Sequence, residues 1–226
     1  MNFFRFIIKR VSKQEIDPQI KNGYILRFTS EKILCLIYGI LRFKKLKLIF
    51  CHPSTIIKGS SSITLLGKVN IDRNCYIDAL SSEGLNIGDN VSIGRNTSIQ
   101  VTGSLRNLGK GITIGKNVGL GTNGYYGGAG GVKIGDDTIF GNFVSVHPEN
   151  HNFANLDLPI RLQGVNHKGI IIGKGCWIGA KATILDGTII GDGCIVAAGA
   201  VVTGHFPDNV IIGGVPAKII KSRIDN

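Results

Sequence analysis

Residues 172–202 read IGKGCWIGAKATILDGTIIGDGCIVAAGAVV, and within them Ile172, Ile178, Ile184, Ile190, Val196 and Val202 recur at a constant step of six. Two positions before each of the last five stands a small side chain: Cys176, Ala182, Thr188, Cys194 and Ala200. Residues two apart point to the same side of an extended chain, so a large and a small side chain face inward together and the residue between them, such as Trp177 or Thr183, faces out. A helix repeats at about 3.6 residues and a hairpin sandwich places turns at about 8–12, so neither produces a step of six. Short strands joined by tight corners do. Three of them close a triangular coil of 18 residues, which stacks Ile172 on Ile190 and Cys176 on Cys194, with neighbouring coils about 4.8 Å apart. Gly173, Gly179 and Gly191 directly follow their aliphatic residues, where a tight corner favours a residue without a Cβ.

The same register appears upstream at Ile87, Ile93 and Ile99, at Ile114 and Leu120, and at Ile134, Phe140 and Val146. The period therefore predicts an all-β parallel β-helix over residues 51–213, with an N-terminal helical arm in residues 1–50 and a basic tail in residues 214–226. Three breaks interrupt it. From Ile134 to Ile172 is 38 residues, 20 more than one coil, and these must be extruded as a loop at residues 148–169, PENHNFANLDLPIRLQGVNHKG. From Ile114 to Ile134 there are two extra residues, in a glycine-rich stretch holding Asn123, Tyr125 and Tyr126; from Ile93 to Leu120 there are nine, at residues 102–110. An interruption in a solenoid is where function is commonly carried.

Composition narrows the classes. The 226 residues carry a net charge of +11, but +8 of it lies in residues 1–50, so the remainder is only mildly basic and a nucleic-acid partner is not expected. Five cysteines without a CxxC pair, and no evident secretory signal, point to a reducing, cytoplasmic setting. The apolar run from Ile33 to Leu41 is too short to span a bilayer. The arm mixes Phe3, Phe4, Phe6, Ile7 and Ile8 with Arg5, Lys9 and Arg10, and ends in RFKKLK. It suits two compatible roles: peripheral contact with anionic membrane, or a cover over the open end of the solenoid.

IGDDTIFGNFVSVHPENHNF, the stretch CWIGAKATILDGTIIGDGCIVAAGAVVT and the closing IIGGVPAKIIKSR resemble the hexapeptide-repeat acetyltransferases that act on maltose, galactosides and capsule or exopolysaccharide. The resemblance implies a left-handed coil, a homotrimer, and acetyl-CoA as cosubstrate. It also implies a catalytic His seventeen residues after the Ile of an IGD corner, which from Ile134 selects His151. Gly179, Ala180 and Ala198, with Thr203 beside them, match the family's coenzyme groove, and Lys218 and Lys221 match its basic residues near the nucleotide phosphates. An imidazole suits removal of a hydroxyl proton near neutral pH. Glu149 is a candidate to orient it. Asn123, Tyr125, Asp157 and Arg161 are candidate sugar ligands, and Trp177 a pocket wall or a subunit contact.

The expected activity is thus acetyl transfer to a sugar hydroxyl of a saccharide or lipid-linked saccharide in cell-envelope polysaccharide synthesis, with no metal. An N-acetyltransferase acting on an amino sugar is the near alternative. A zinc carbonic anhydrase on the same coil, using His147, His151 and His167, and a nonenzymatic scaffold are the others.

Overall fold

The computed structural model describes residues 16–44 and 47–224. The apolar, basic opening at residues 3–10 and the charge at Lys45 lie outside the described residues. Among the described residues one α-helix, α1 (Asn22–Phe43), precedes a series of short strands that begins at Ile49–Cys51 and ends at Ala217–Ser222. Successive strands pass to three different sheets in turn. The first sheet holds nine strands, and the second and third hold seven each. Within these three sheets the strands pair in parallel except the last of the first sheet, Ala217–Ser222, which runs antiparallel to Val210–Gly214. The result is a parallel β-helix of seven complete coils, its first strand beginning two residues ahead of the expected boundary and its basic tail folded into a closing strand.

The six-residue period is the stacking register. Ile172 pairs with Ile190, Ile178 with Val196 and Ile184 with Val202. All three breaks restore it: Ile93 lies against Leu120, Ile114 against Ile134, and Ile134 against Ile172. The inward residues form one core along the axis, from Ile49 to Ile212. Tyr126 takes an inward position between Ile99 and Val146 and packs edge-on against Phe140, with ring centroids 5.6 Å apart.

Corner glycines are required for a reason other than backbone torsion. A Cβ on Gly141 would lie 2.5 Å from the amide nitrogen of Ala180, and one on Gly179 2.5 Å from that of Ala198. The next coil's backbone occupies the space a side chain would need. Left-handed torsion is supplied instead by a separate position in the corner, where Asn90, Asn117 and Asp137 have φ of 57–59°, a conformation Asn and Asp tolerate better than other side chains. These three form a ladder, Asn90 Nδ2 donating to Asn117 Oδ1 at 3.0 Å and Asn117 Nδ2 to Asp137 Oδ1 at 2.8 Å. Small buried side chains seal other corners: Thr138 Oγ1 donates to Gly173 O at 2.8 Å, Cys176 Sγ to Gly191 O at 3.2 Å and Cys194 Sγ to Pro207 O at 3.1 Å. Cys176 and Cys194 are therefore corner residues with free, buried thiols.

Helix α1 covers the first coil. Ile25, Cys35 and Gly39 are its buried residues, and Gly39 sits so close to Ile49 O that a side chain there would collide with it. Arg42 Nη2 donates to Ile57 O at 2.7 Å and Lys47 Nζ to Leu65 O at 2.9 Å. The neighbouring carbonyls of Leu48 and Lys58 bond into the second coil, so Arg42 and Lys47 satisfy groups on the unpaired edge, which would otherwise be open to another strand. Glu31 pairs with Arg73 at 2.6 Å. Several of the arm's charges thus serve the cap. On the opposite side of α1, Leu26, Ile33, Leu34, Ile37 and Leu41 are each 51–70% exposed. No described helix is long and apolar enough to cross a membrane.

Two outcomes follow. Gly141→Ala should lose about 1–3 kcal/mol of stability through overpacking, whereas Gly103→Ala, with open space around it and no left-handed φ, should leave the melting temperature unchanged or slightly raised. Burial pushes the Cys51 thiol up to about 12 and those of Cys75 and Cys176 to about 11. The folded chain then holds these protons while the unfolded chain releases them from about pH 8.5 upward, so unfolding free energy should fall as pH rises from there towards 11–12. Denaturant titrations across that range measure the slope, which Cys176→Ala should reduce.

Candidate active site

The 20-residue excess leaves the solenoid after the strand Ser145–His147 in the second sheet and returns at Ile170–Ile172 in the third. It rises as a short antiparallel stem in which Asn150 faces Asn166 and His151 faces Val165. Above the stem the loop is organised by two amides. Gln163 Nε2 donates to Asn155 O and Leu158 O, both at 2.7 Å, while Asn152 Nδ2 donates to Gln163 O at 3.0 Å. His151, Phe153, Asn155, Leu158, Leu162 and Asn166 line an open hollow of about 540 Å³. Its wall is largely apolar, with His151 at its base.

Asp186 fastens this loop to the next coil. Its carboxylate, 7% exposed, accepts hydrogen bonds from the backbone N–H of Lys168 at 2.9 Å and of Gly169 at 2.8 Å, and from Asn150 Nδ2 at 3.1 Å. One side chain therefore holds both ends of the excursion. Sequence reasoning missed it; the available signal was an acidic residue directly following a strand triplet, in ILDG, where a charge must be buried or turned out.

The histidines separate into distinct roles. His151 is exposed, and its imidazole makes no hydrogen bond among the described residues. His147 points out of the second sheet and stacks on Tyr125 with centroids 5.2 Å apart, and desolvation lowers its pKa. His167 pairs with Glu149 at 3.3 Å, so Glu149, expected beside His151, is placed on a different imidazole. No group of three His, Cys, Asp or Glu side chains arranged to hold a metal occurs among the described residues. Within one chain His147, His151 and His167, expected of a zinc hydratase, do not converge.

Gly179, Ala180 and Ala198 lie together at the corner between the first and second sheets, and Lys218 joins them beside Gly213, whose missing Cβ would touch Ala197. Coil stacking demands the missing side chain of Gly179, but Ala180 is only half-buried and Ala198 is exposed, so stacking does not explain their smallness. Lys221 lies opposite Ile211 on the same final strand. Thr203 is at the other corner, following the strand Val201–Val202. Within one chain the second sheet separates that first corner from the stem of His151. Trp177 stands outward, 53% exposed, with Ile139 and Ile195 on either side. Asn123 is itself a corner residue, with φ 57°, accepting from Asn96 Nδ2 at 3.0 Å, so its amide has a structural duty. Asp157 and Arg161 are exposed on the loop, away from the stem.

The chain is a triangular parallel coil with His151 on its one long excursion. Residues 169–204 of it match the bacterial transferase hexapeptide family of six repeats. The chain is 36% identical over 92 residues to a probable acetyltransferase of Mycobacterium tuberculosis, a match covering 41% of this chain and 31% of that protein. It is 34% identical over 97 residues to a putative lipopolysaccharide biosynthesis O-acetyl transferase of Escherichia coli, covering 40% of this chain and 50% of the relative. The matched regions thus take in half or less of the curated relatives. Among solved structures, an N-acyltransferase from Bacillus cereus, crystallised with dTDP and coenzyme A, superposes with a TM-score of 0.55 at 23% identity over 76% of this chain and 79% of its own. That likeness is one of fold.

Asp186→Ala should free both ends of the loop without removing a core side chain. Limited proteolysis should then cut within residues 150–168 at least several-fold faster than in the parent, while Asp186→Asn, which keeps an acceptor, should fall between the two.

Proposed function

We propose that this chain transfers an acetyl group from acetyl-CoA to a hydroxyl of a saccharide, in the synthesis of a cell-envelope polysaccharide or its lipid-linked precursor. The observation that carries the proposal is His151, unengaged at the base of a hollow on the one long excursion of a hexapeptide solenoid. In the reaction the acceptor hydroxyl oxygen bonds to the thioester carbonyl carbon as the His151 imidazole takes the hydroxyl proton. The C–S bond then breaks, the acetyl group stays on the sugar oxygen, and the departing thiolate recovers the proton from the imidazolium. Gly179, Ala180 and Ala198 would take the pantetheine arm, and Lys218 and Lys221 the phosphates, while Thr203, at the other corner of the second sheet, would meet a coenzyme only across a subunit boundary. Asp157, Arg161, Asn123 and Trp177 remain proposed acceptor contacts, Asn123 through its backbone or a face of its amide.

Because the first sheet's corner and the His151 stem are apart within one chain, a homotrimer, in which one subunit's loop reaches a neighbour's corner, would complete the site. The similarity to a relative named as an O-acetyl transferase favours a hydroxyl acceptor over an amine. The exposed aliphatic arc of α1, with Arg27 among it and no acidic residue between Leu26 and Leu41 on that side, supports a peripheral seat on anionic lipid at the cytoplasmic face of a membrane. His151→Ala should leave the melting temperature within a degree or two and lower acetyl-CoA-dependent thiol release by about 10²–10⁴-fold. Unchanged release would move the base elsewhere.

A further inference from the structure

The outward residues of the second sheet differ from those of the other two. Through its first five strands they are Ile56 and Lys58, whose ammonium lies 5.3 Å from the centre of the Tyr76 ring, then Tyr76, Asp78, Ser98, Gln100, Tyr125, Ser145 and His147, all partly or wholly accessible. The register places them side by side. Tyr76 adjoins Ser98 and Asp78 adjoins Gln100; Ser98 adjoins Tyr125, which stacks on His147. The third sheet at the same level presents Thr64, Asn86, Thr113 and Lys133, without a ring, and the first presents Phe50, whose ring lies under Lys32 of α1, then Asn70, Ser92, Gly119 and Ile139. Past the fifth strand the chemistry changes: Leu185 follows His147, and Val201 follows Thr183. The change falls at the coil from which the His151 loop departs.

Flat rings alternating with hydroxyl, amide and carboxylate groups are the chemistry that holds sugars, the rings covering C–H faces and the polar groups meeting hydroxyls. The strip begins next to the coil covered by α1. The exposed arc of α1 is opposite its solenoid-packed face, so a membrane beneath it would lie across the axis. His147 is in the fifth strand of the second sheet, four coil steps from the first, or about 19 Å at strand spacing.

Resting on the proposed function, we infer that the second sheet is the track for a membrane-anchored glycan, laid along the axis from the α1 end to His151. The solenoid then acts as a ruler. Sugars close to the lipid pass along the track, and the acetylated residue is one several sugar units out. A donor on the last coils and a glycan on the first five meet at the His151 loop from opposite ends. Selection is by distance from the lipid as well as by sugar identity.

The test uses the full chain with radiolabelled acetyl-CoA and two probes from cells that produce the protein: the organic-solvent extract of their membranes, supplied in anionic vesicles, and their water-soluble sugar-nucleotide pool. Binding of acetyl-CoA is measured in parallel. Label is expected in the lipid extract, on glycans of several units after mild acid release. Tyr76→Ala and Gln100→Ala should each lower that transfer at least tenfold, with folding checked by melting temperature. Thr113→Ala, on the third sheet, should leave it within twofold. Leu34→Glu with Ile37→Glu should lower both vesicle co-sedimentation and transfer. Label confined to the soluble pool, or transfer within twofold for Tyr76→Ala and Gln100→Ala, overturns the track. So does an unlabelled lipid extract while acetyl-CoA binds, in which case the donor assignment stands. Neither binding nor label overturns both.

Discussion

Everything in this molecule depends on how closely one coil's backbone approaches the next at the corners. At Gly141 and Gly179 the amide of the following coil stands where a Cβ would be, so the corner can turn only if the side chain is absent. That contact fixes the coil spacing, the spacing fixes the parallel hydrogen bonding of three sheets, and the sheets hold the inward Ile and Val columns in line. The left-handed torsion each corner also needs is assigned to a different residue, Asn90 or Asn117 among them, whose side chains then bond from coil to coil. Sterics and torsion are thus handled by separate positions within one short turn.

Against so rigid a frame, an extra segment has one available fate. It cannot be absorbed, because displacing a single inward residue would turn the following strand inside out, so it leaves the coil and comes back in register. The loop bearing His151 is such a segment, and Asp186 shows how the frame controls it: a buried carboxylate gathers two backbone amides from the returning end and a side-chain amide from the departing end. The catalytic candidate thus stands on a stem whose two ends are held by one side chain.

The coil was legible in the sequence because each of its residues reports its own side of the strand, and a step of six has no other common origin. Break positions were legible for the same reason: Ile134 had to meet Ile172 again whatever lay between. The partners of polar side chains were not. Asp186 reaches 36 residues back to Asn150, and Glu149 turns to His167, 18 residues on, where proximity in sequence had suggested His151. Nor could composition reveal that Arg42 and Lys47 spend their charge on the carbonyls of Ile57 and Leu65; from sequence they were only part of a basic arm. The glycines of the corners were found correctly as places that favour a residue without a Cβ, but what fills the space of that Cβ, the neighbouring coil's backbone, was not legible.

A repeat of this kind carries no instruction to stop, since each coil offers the next the same edge it received. Here both terminal edges of the first sheet are closed by segments that do not obey the period. At one end α1 lays its small residue Gly39 against the edge; at the other, Ala217–Ser222 reverses direction and offers no parallel template. Finite length is therefore a property written outside the repeat. A sequence of the same coils stripped of these two closures would be a fibre-forming unit, and the protein's existence as a discrete particle rests on about thirty residues that contribute nothing to the pattern by which its fold is recognised.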